Sequence, residues 1–353
     1  MAPELSAQVR GDVSPGVTAP ATPPALDPSA QRGIAESMSA SLVPLIPARV
    51  RPNTITLLTH AVGWVTAILA VTSAHLDGLA RSLCLLGAGI GMLASVIGDC
   101  LDGMHARRTN QCTNLGSMLD HWLDAIVVPL VPAAITVALG MLPWHIVVVV
   151  ITASMVYHAQ LVLYHHSGVF VAPEPATGSG AQFGVSLGYM GMAVLFYFVD
   201  PGASWIRMLV YGIAMLGIYV QLRCNWFYYV RLGHLVARHL SFVAVCAGFG
   251  VLQLLGAIEM NAFLLCIVCV SFRISGSYVL WTLVGRPYRG FDAGIVAWLV
   301  LIAAGHWLLP ADASGMAGLR PLLPYLACAY CVARNAVDFS RNFAALSAGR
   351  APA

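Results

Sequence analysis

The chain has 353 residues, 59% of them hydrophobic and 9% charged, and a formal net charge of +3. A soluble domain carries roughly a quarter charged residues, so this composition excludes a water-soluble globule. A balance so close to neutral, with no basic stripe, also excludes nucleic acid as a partner.

Residues 1–32 are rich in Pro, Ala and Ser and read as a disordered tail. Residues 33–48 are expected to lie along a membrane surface. No cleavable signal peptide is expected before the first apolar run. From there apolar runs recur, each close to the ~20 residues that cross a bilayer. Spans are expected near 54–75, 82–102, 116–140, 144–165, 183–199, 206–229, 240–258, 262–284, 292–309 and 322–344. The domains read as a tail and interfacial helix over 1–48, a polytopic catalytic domain over 49–345 and a short tail over 346–353. The fold class is therefore all-α and integral to the membrane, with about ten transmembrane helices.

An even number of spans puts both termini on one side. Twelve of the 18 arginines fall on that side, Arg81, Arg207 and Arg320 fall opposite, and Arg223, Arg273 and Arg334 lie within spans. The positive-inside rule makes the termini cytoplasmic. All 18 basic residues are Arg and Ala is abundant, which suggests a GC-rich genome and favours a bacterial inner membrane; in a eukaryote, the endoplasmic reticulum or Golgi membrane would be expected. The pairs Cys266/Cys269 and Cys328/Cys331 lie inside apolar runs and read as small packing residues rather than a zinc or redox site.

The stretch from Asp99 to Asp124 holds four of the fifteen acidic residues, at the ends of two apolar runs. Asp99 and Asp102 share one helix face, and Asp120 and Asp124 share another. Carboxylates beside hydrocarbon are costly and mark function by default, and four together repel unless cations sit between them. The simplest arrangement is a metal site on two facing helix ends, at the cytoplasmic ends of spans two and three. Gly103, Ala106 and Gly116 keep the surface low for a ligand, and Arg107 offers a planar fork for phosphate oxygens. Hard oxygen ligands suggest a diphosphate held through Mg²⁺ or Mn²⁺ rather than zinc or copper. Two ions ~3.5–4 Å apart would stabilise both attacking and leaving oxygens. A buried Asp/Arg network is the competing structural reading.

These residues follow D-x-x-D-G-x-x-A-R, a gap of eight, then G-x-x-x-D-x-x-x-D: Asp99, Asp102, Gly103, Ala106, Arg107, Gly116, Asp120 and Asp124. The pattern resembles the CDP-alcohol phosphotransferase family. A chance match at a given start is on the order of 10⁻¹⁰, so coincidence does not explain it. The resemblance implies a membrane enzyme that displaces CMP from a CDP-linked alcohol. It implies that Asp99, Asp102, Asp120 and Asp124 bind two metal ions and that Asp124 also acts as base. It further implies CDP contacts from Asp102, Gly103, Ala106, Arg107 and Gly116. Ala106-Arg107-Arg108-Thr109, Leu115-Gly116, Asp120-His121 and the opening Pro52-Asn53-Thr54-Ile55-Thr56 resemble the choline- and ethanolaminephosphotransferase branch. Asn53, Arg108 and His121 are accessory candidates. Met104-His105, Asn114, Ser117 and Trp122-Leu123 depart from that branch and leave the alcohol open.

His105 and His121, at variable positions of the signature, flank the site and read as metal-supporting residues, proton carriers or polar residues at a wet helix end. Residues 165–182, including Glu174, read as a connecting loop or a lid. Arg223, Arg273, Arg334, Asn225, Asn335 and Asp338 are expected to pair within the bundle. The leading functional expectation is transfer of a choline- or ethanolamine-type phospho-alcohol from a CDP-alcohol to a lipid hydroxyl such as diacylglycerol. One alternative transfers phosphatidyl from CDP-diacylglycerol to a soluble alcohol such as inositol or glycerol phosphate. A remote one is a cation transporter, against which stands the clustering of the carboxylates at one membrane face. The partners are thus a CDP-alcohol, a lipid acceptor and membrane lipid; a homodimer is compatible.

Overall fold

The computed structural model describes residues 34–167, 179–288, 290–308 and 317–348. The tail at 1–32 falls outside these residues, as do residues 168–178 with Glu174; the two ends of the segment expected as a loop, 165–167 and 179–182, are instead helical. Among the described residues the regular structure is helical: α1 Ile34–Leu42, α2 Pro52–Ser73, α3 Gly78–Arg108, α4 Asn114–Ala138, α5 Pro143–Ser167, α6 Ser179–Phe198, α7 Ser204–Leu232, α8 Val236–Leu254, α9 Met260–Leu283, α10 Ala293–Leu308 and α11 Leu323–Ala348.

Each expected span thus coincides with one helix from α2 to α11. Among the described residues, six stretches are long and apolar enough to cross a membrane: Pro52–Ser73, Gly78–Arg108, Asn114–Ala138, Pro143–Ser167, Ser204–Leu254 and Met260–Leu283. The fifth is 51 residues long. As one straight helix it would run ~76 Å, more than twice a ~30 Å hydrocarbon core. It breaks at Gly233, whose φ of 51° suits a residue without Cβ, and α7 and α8 both pack on α5. Gln182–Phe198 and Ala293–Leu308 are apolar but shorter, and α11 carries Arg334, Asp338 and Arg341.

The centre is α9, with 78% of its apolar window buried and packing on α4, α5, α8 and α11. Its Arg273 is 7% exposed and bonds Asp292 at 2.9 Å and Asp338 at 2.8 Å, Asn335 at 3.2 Å and Ser277 at 2.6 Å. This ionic cluster joins α9 and α11 to the residue preceding α10. Asn225 also pairs inside the bundle, donating to the Thr152 carbonyl at 3.0 Å; Arg223 is exposed. The nine cysteines are free, and the two C-x-x-C pairs pack in the apolar core, with Cys266 and Cys328 sulfurs 3.7 Å apart. α1 lies on α3 and α6, held by Ser39 Oγ donating to the Ile97 carbonyl at 2.9 Å.

Candidate active site

The signature straddles one tight turn. After α3, Asn110 takes a left-handed conformation (φ 56°). Its N–H bonds the Arg107 carbonyl at 3.3 Å, and Gln111 N–H bonds the Ala106 carbonyl at 2.9 Å. This pair of bonds is a Schellman closure, which Asn tolerates in place of Gly. Thr113 then caps α4, its side chain accepting from Gly116 N–H at 3.0 Å.

Sequence reasoning expects two facing helix ends; α2 packs against both α3 and α4. Pro52 opens α2, and Arg51 before it is extended (ψ 132°), as a residue before Pro must be. Small residues let α2 approach α3 closely. A Cβ on Gly98 would strike Thr59, one on Gly91 would strike Thr66, and one on Gly63 would lie 3.1 Å from Ser95 Oγ.

This approach brings Thr56 and His60 of α2 to the carboxylates. Thr56 Oγ1 donates to Asp102 Oδ2 at 2.5 Å, and Asp102 is 5% exposed. His60 lies 3.3 Å through Nε2 from Asp124 Oδ1. One atom each of His60, Asp99 and Asp124 falls within 4.8 Å of the others. Asp120 and Asp124 are more open, with side chains 33% and 25% exposed. Among the described residues no arginine pairs with any of the four carboxylates. Two carboxylates under 5 Å apart repel by about 3–4 kcal/mol at an effective dielectric of ~20. The donor set of oxygens and one imidazole therefore fits a divalent cation.

The flanking candidates divide. Arg107 is exposed; its guanidinium lies 3.5 Å from where a Gly103 Cβ would stand and makes no hydrogen bond or ion pair among the described residues. Arg108 is spent on the backbone: it donates to the carbonyls of Val43 and Ile46, the latter at 2.8 Å. Asn53 Oδ1 sits 3.0 Å from a Cβ position on Gly116. His105 is fully buried and bonds the Val50 carbonyl at 2.9 Å. His121 Nδ1 is 3.9 Å from Asp120 Oδ2, and its ring meets Tyr164 and His165 edge-on at 5.7 and 5.6 Å.

A family model described as CDP-alcohol phosphatidyltransferase matches residues 49–220. The chain thus carries a domain of this family over residues 49–220. It is a membrane transferase of phosphate-containing groups in phospholipid biosynthesis, in a family that uses divalent metals. The "Putative cardiolipin synthase" of Mycobacterium tuberculosis (strain ATCC 25618 / H37Rv) is 29% identical over 174 residues, 48% of this chain and 77% of that protein. Cholinephosphotransferase 1 of Homo sapiens is 36% identical over 107 residues, 29% of this chain and 26% of that protein. Its Mus musculus counterpart is 35% identical over 109 residues, with the same two shares.

The CDP-alcohol phosphatidyltransferase domain ends within α7, yet its site is walled by helices on both sides of that end. From α5, Tyr157 OH donates to the His121 carbonyl at 2.7 Å. From α9, the Phe272 carbonyl accepts from Trp122 Nε1 at 3.2 Å, and the two rings stack at 4.6 Å. Trp122 lies so close to Gly276 that any Cβ there would strike it.

Thr56, His60, Tyr157 and Phe272 are absent from the signature. For His60 a signal existed: it is the one titratable residue in α2, and an ionisable residue within a span calls for a role. The carbonyl of Phe272 leaves no trace in sequence.

Proposed function

We propose that the enzyme transfers a phospho-alcohol from a CDP-alcohol to a lipid hydroxyl such as that of diacylglycerol, releasing CMP. The observation that carries this is the convergence of unneutralised carboxylates beside an unspent guanidinium, Arg107. Asp99, Asp102, Asp120 and Asp124 would hold two ions, Mg²⁺ or Mn²⁺. When bound, such ions neutralise the donor diphosphate and the departing phosphate of CMP. Arg107 binds phosphate oxygens through its fork. Gly103, Ala106 and Gly116 admit the nucleotide, with Asn53 over Gly116 and Asp102 at its diphosphate. Asp124 accepts the acceptor hydroxyl's proton as its oxygen bonds to phosphorus and the P–O bond to CMP breaks. His121 orients Asp120.

For placement, α2 to α11 are ten crossings, both termini and the 109–113 turn are cytoplasmic, and the membrane is a bacterial inner membrane. Residues 34–48 lie at its surface, ahead of the catalytic domain. The 31 residues of α3 exceed the ~20 that span a bilayer, so the Asp99–Arg108 end reaches water and nucleotide.

A second reading has CDP-diacylglycerol as donor of phosphatidyl to a soluble alcohol. The family description, a phosphatidyltransferase, and the longer match to a protein named as a cardiolipin synthase favour it. Purified enzyme in vesicles, given labelled CDP-choline, CDP-ethanolamine or CDP-diacylglycerol with each acceptor, decides. CMP release with a choline- or ethanolamine-headed lipid supports the first reading. Product that carries the acyl chains of CDP-diacylglycerol on a soluble alcohol overturns it.

A further inference from the structure

We infer that His60 is itself a ligand of the divalent cation, through Nε2, making this a mixed nitrogen–oxygen site rather than one of oxygens alone. The inference rests on the proposed metal site and adds a residue that the signature does not contain.

Four observations carry it. The His60 side chain is 3% exposed, so its orientation is held by packing. Its Nδ1 lies 2.8 Å from the Thr56 carbonyl; a carbonyl only accepts, so Nδ1 carries the hydrogen. In the neutral ring Nε2 then bears the lone pair. That atom faces Asp124 Oδ1 at 3.3 Å, and the ring has a nitrogen within 4.8 Å of a carboxylate oxygen of Asp99. A lone pair facing carboxylate oxygens is repulsive unless a proton or a metal cation lies between them, and the convergence of a third donor, from Asp99, suits a metal ion. A ligating histidine ordinarily gives its other N–H to a carbonyl, which locks tautomer and ring plane; Thr56 supplies that carbonyl. The same Thr56 holds Asp102 through its hydroxyl, so one residue orients a donor on each side of the site.

A nitrogen donor changes which ion is favoured. Mg²⁺ prefers oxygen ligands and retained water, whereas imidazole raises affinity along the first transition row. The enzyme is therefore selective for Mn²⁺ over Mg²⁺, and His60 is the source of that selectivity.

The test uses full-length protein in detergent with Mn²⁺ alone. Electron spin-echo spectroscopy should show a histidine nitrogen coupled to bound Mn²⁺, switching isotope signature when the protein carries ¹⁵N-histidine. The coupling should survive His121→Phe and vanish in His60→Phe. Mn²⁺ affinity should fall at least ~10-fold in His60→Phe, the loss that even an outer partner of a ligand causes, and Mg²⁺ affinity should fall less. If His60→Phe does not fold, the labelled wild type and His121→Phe still decide. Bound Mn²⁺ without nitrogen coupling overturns the role of His60 and leaves the metal site standing. Absence of Mn²⁺ binding by wild type and by Asp99→Asn alike overturns both.

Discussion

Arg107 and Arg108 are chain neighbours with different employment. Arg108 ties the end of α3 to the carbonyls of Val43 and Ile46, while Arg107 stands free over Gly103. Arg107→Ala should raise donor KM at least tenfold with little change in melting temperature. Arg108→Ala should act mainly on melting, by about 1 kcal/mol for exposed charge-assisted bonds. Steady-state kinetics beside thermal melts separates the two; a dominant KM defect in Arg108→Ala would move it into the donor site. Asp124→Asn keeps size and a coordinating oxygen but loses the basic one. Turnover should fall by ~10²–10⁴ while CDP-alcohol affinity survives, read from single-turnover rates and nucleotide binding. A larger defect in His121→Ala, with metal affinity intact in both, would transfer the base role to His121. Chelation should abolish turnover, and Mn²⁺ should restore it; full activity after exhaustive chelation would remove the metals from the mechanism.

At the scale of helices, the site depends on how closely α2 lies against α3. Gly98→Leu would push a side chain into Thr59 and displace the turn that carries Thr56 and His60. Overpacking of this kind costs ~1–3 kcal/mol, and the same variant should lose Mn²⁺ affinity, measurable by calorimetry. Normal metal binding in Gly98→Leu would show that the seam does not position the site. The seam also explains what was legible beforehand. The ten apolar runs and the eight signature positions could be read directly, because span length and fixed spacing are properties of one segment at a time. That α2 wedges between α3 and α4 could not, because it follows from which small residues of two segments meet. Thr59 and Gly98, or Trp122 and Gly276, are unremarkable letters until packing pairs them.

For the whole molecule, the arginine distribution predicts a testable placement. An added Cys near residue 110 should resist an impermeant thiol reagent applied outside intact cells; labelling from outside would invert the topology. Stability should rest heavily on Arg273, which neutralises Asp292 and Asp338 in the interior. Arg273→Ala strands those charges and should cost about 3–5 kcal/mol in detergent melts. Asp292→Asn with Asp338→Asn in that background should recover part of the loss. No recovery would mean that packing, not charge, is what Arg273 supplies.

The family domain stops at residue 220, but Trp122, two residues from Asp120 and Asp124, leans on Phe272 and Gly276 far beyond it. A polypeptide ended after α7 would thus carry every residue of the signature and lack the wall behind them. Such a fragment should reach the membrane and yet form no lipid. Supplying the remaining helices as a second, separate polypeptide should restore synthesis, since the join between the halves is packing and hydrogen bonding rather than chain continuity. The enzyme can then be treated as two cooperating genes, with activity recovered in trans as the measure of how well the halves find each other.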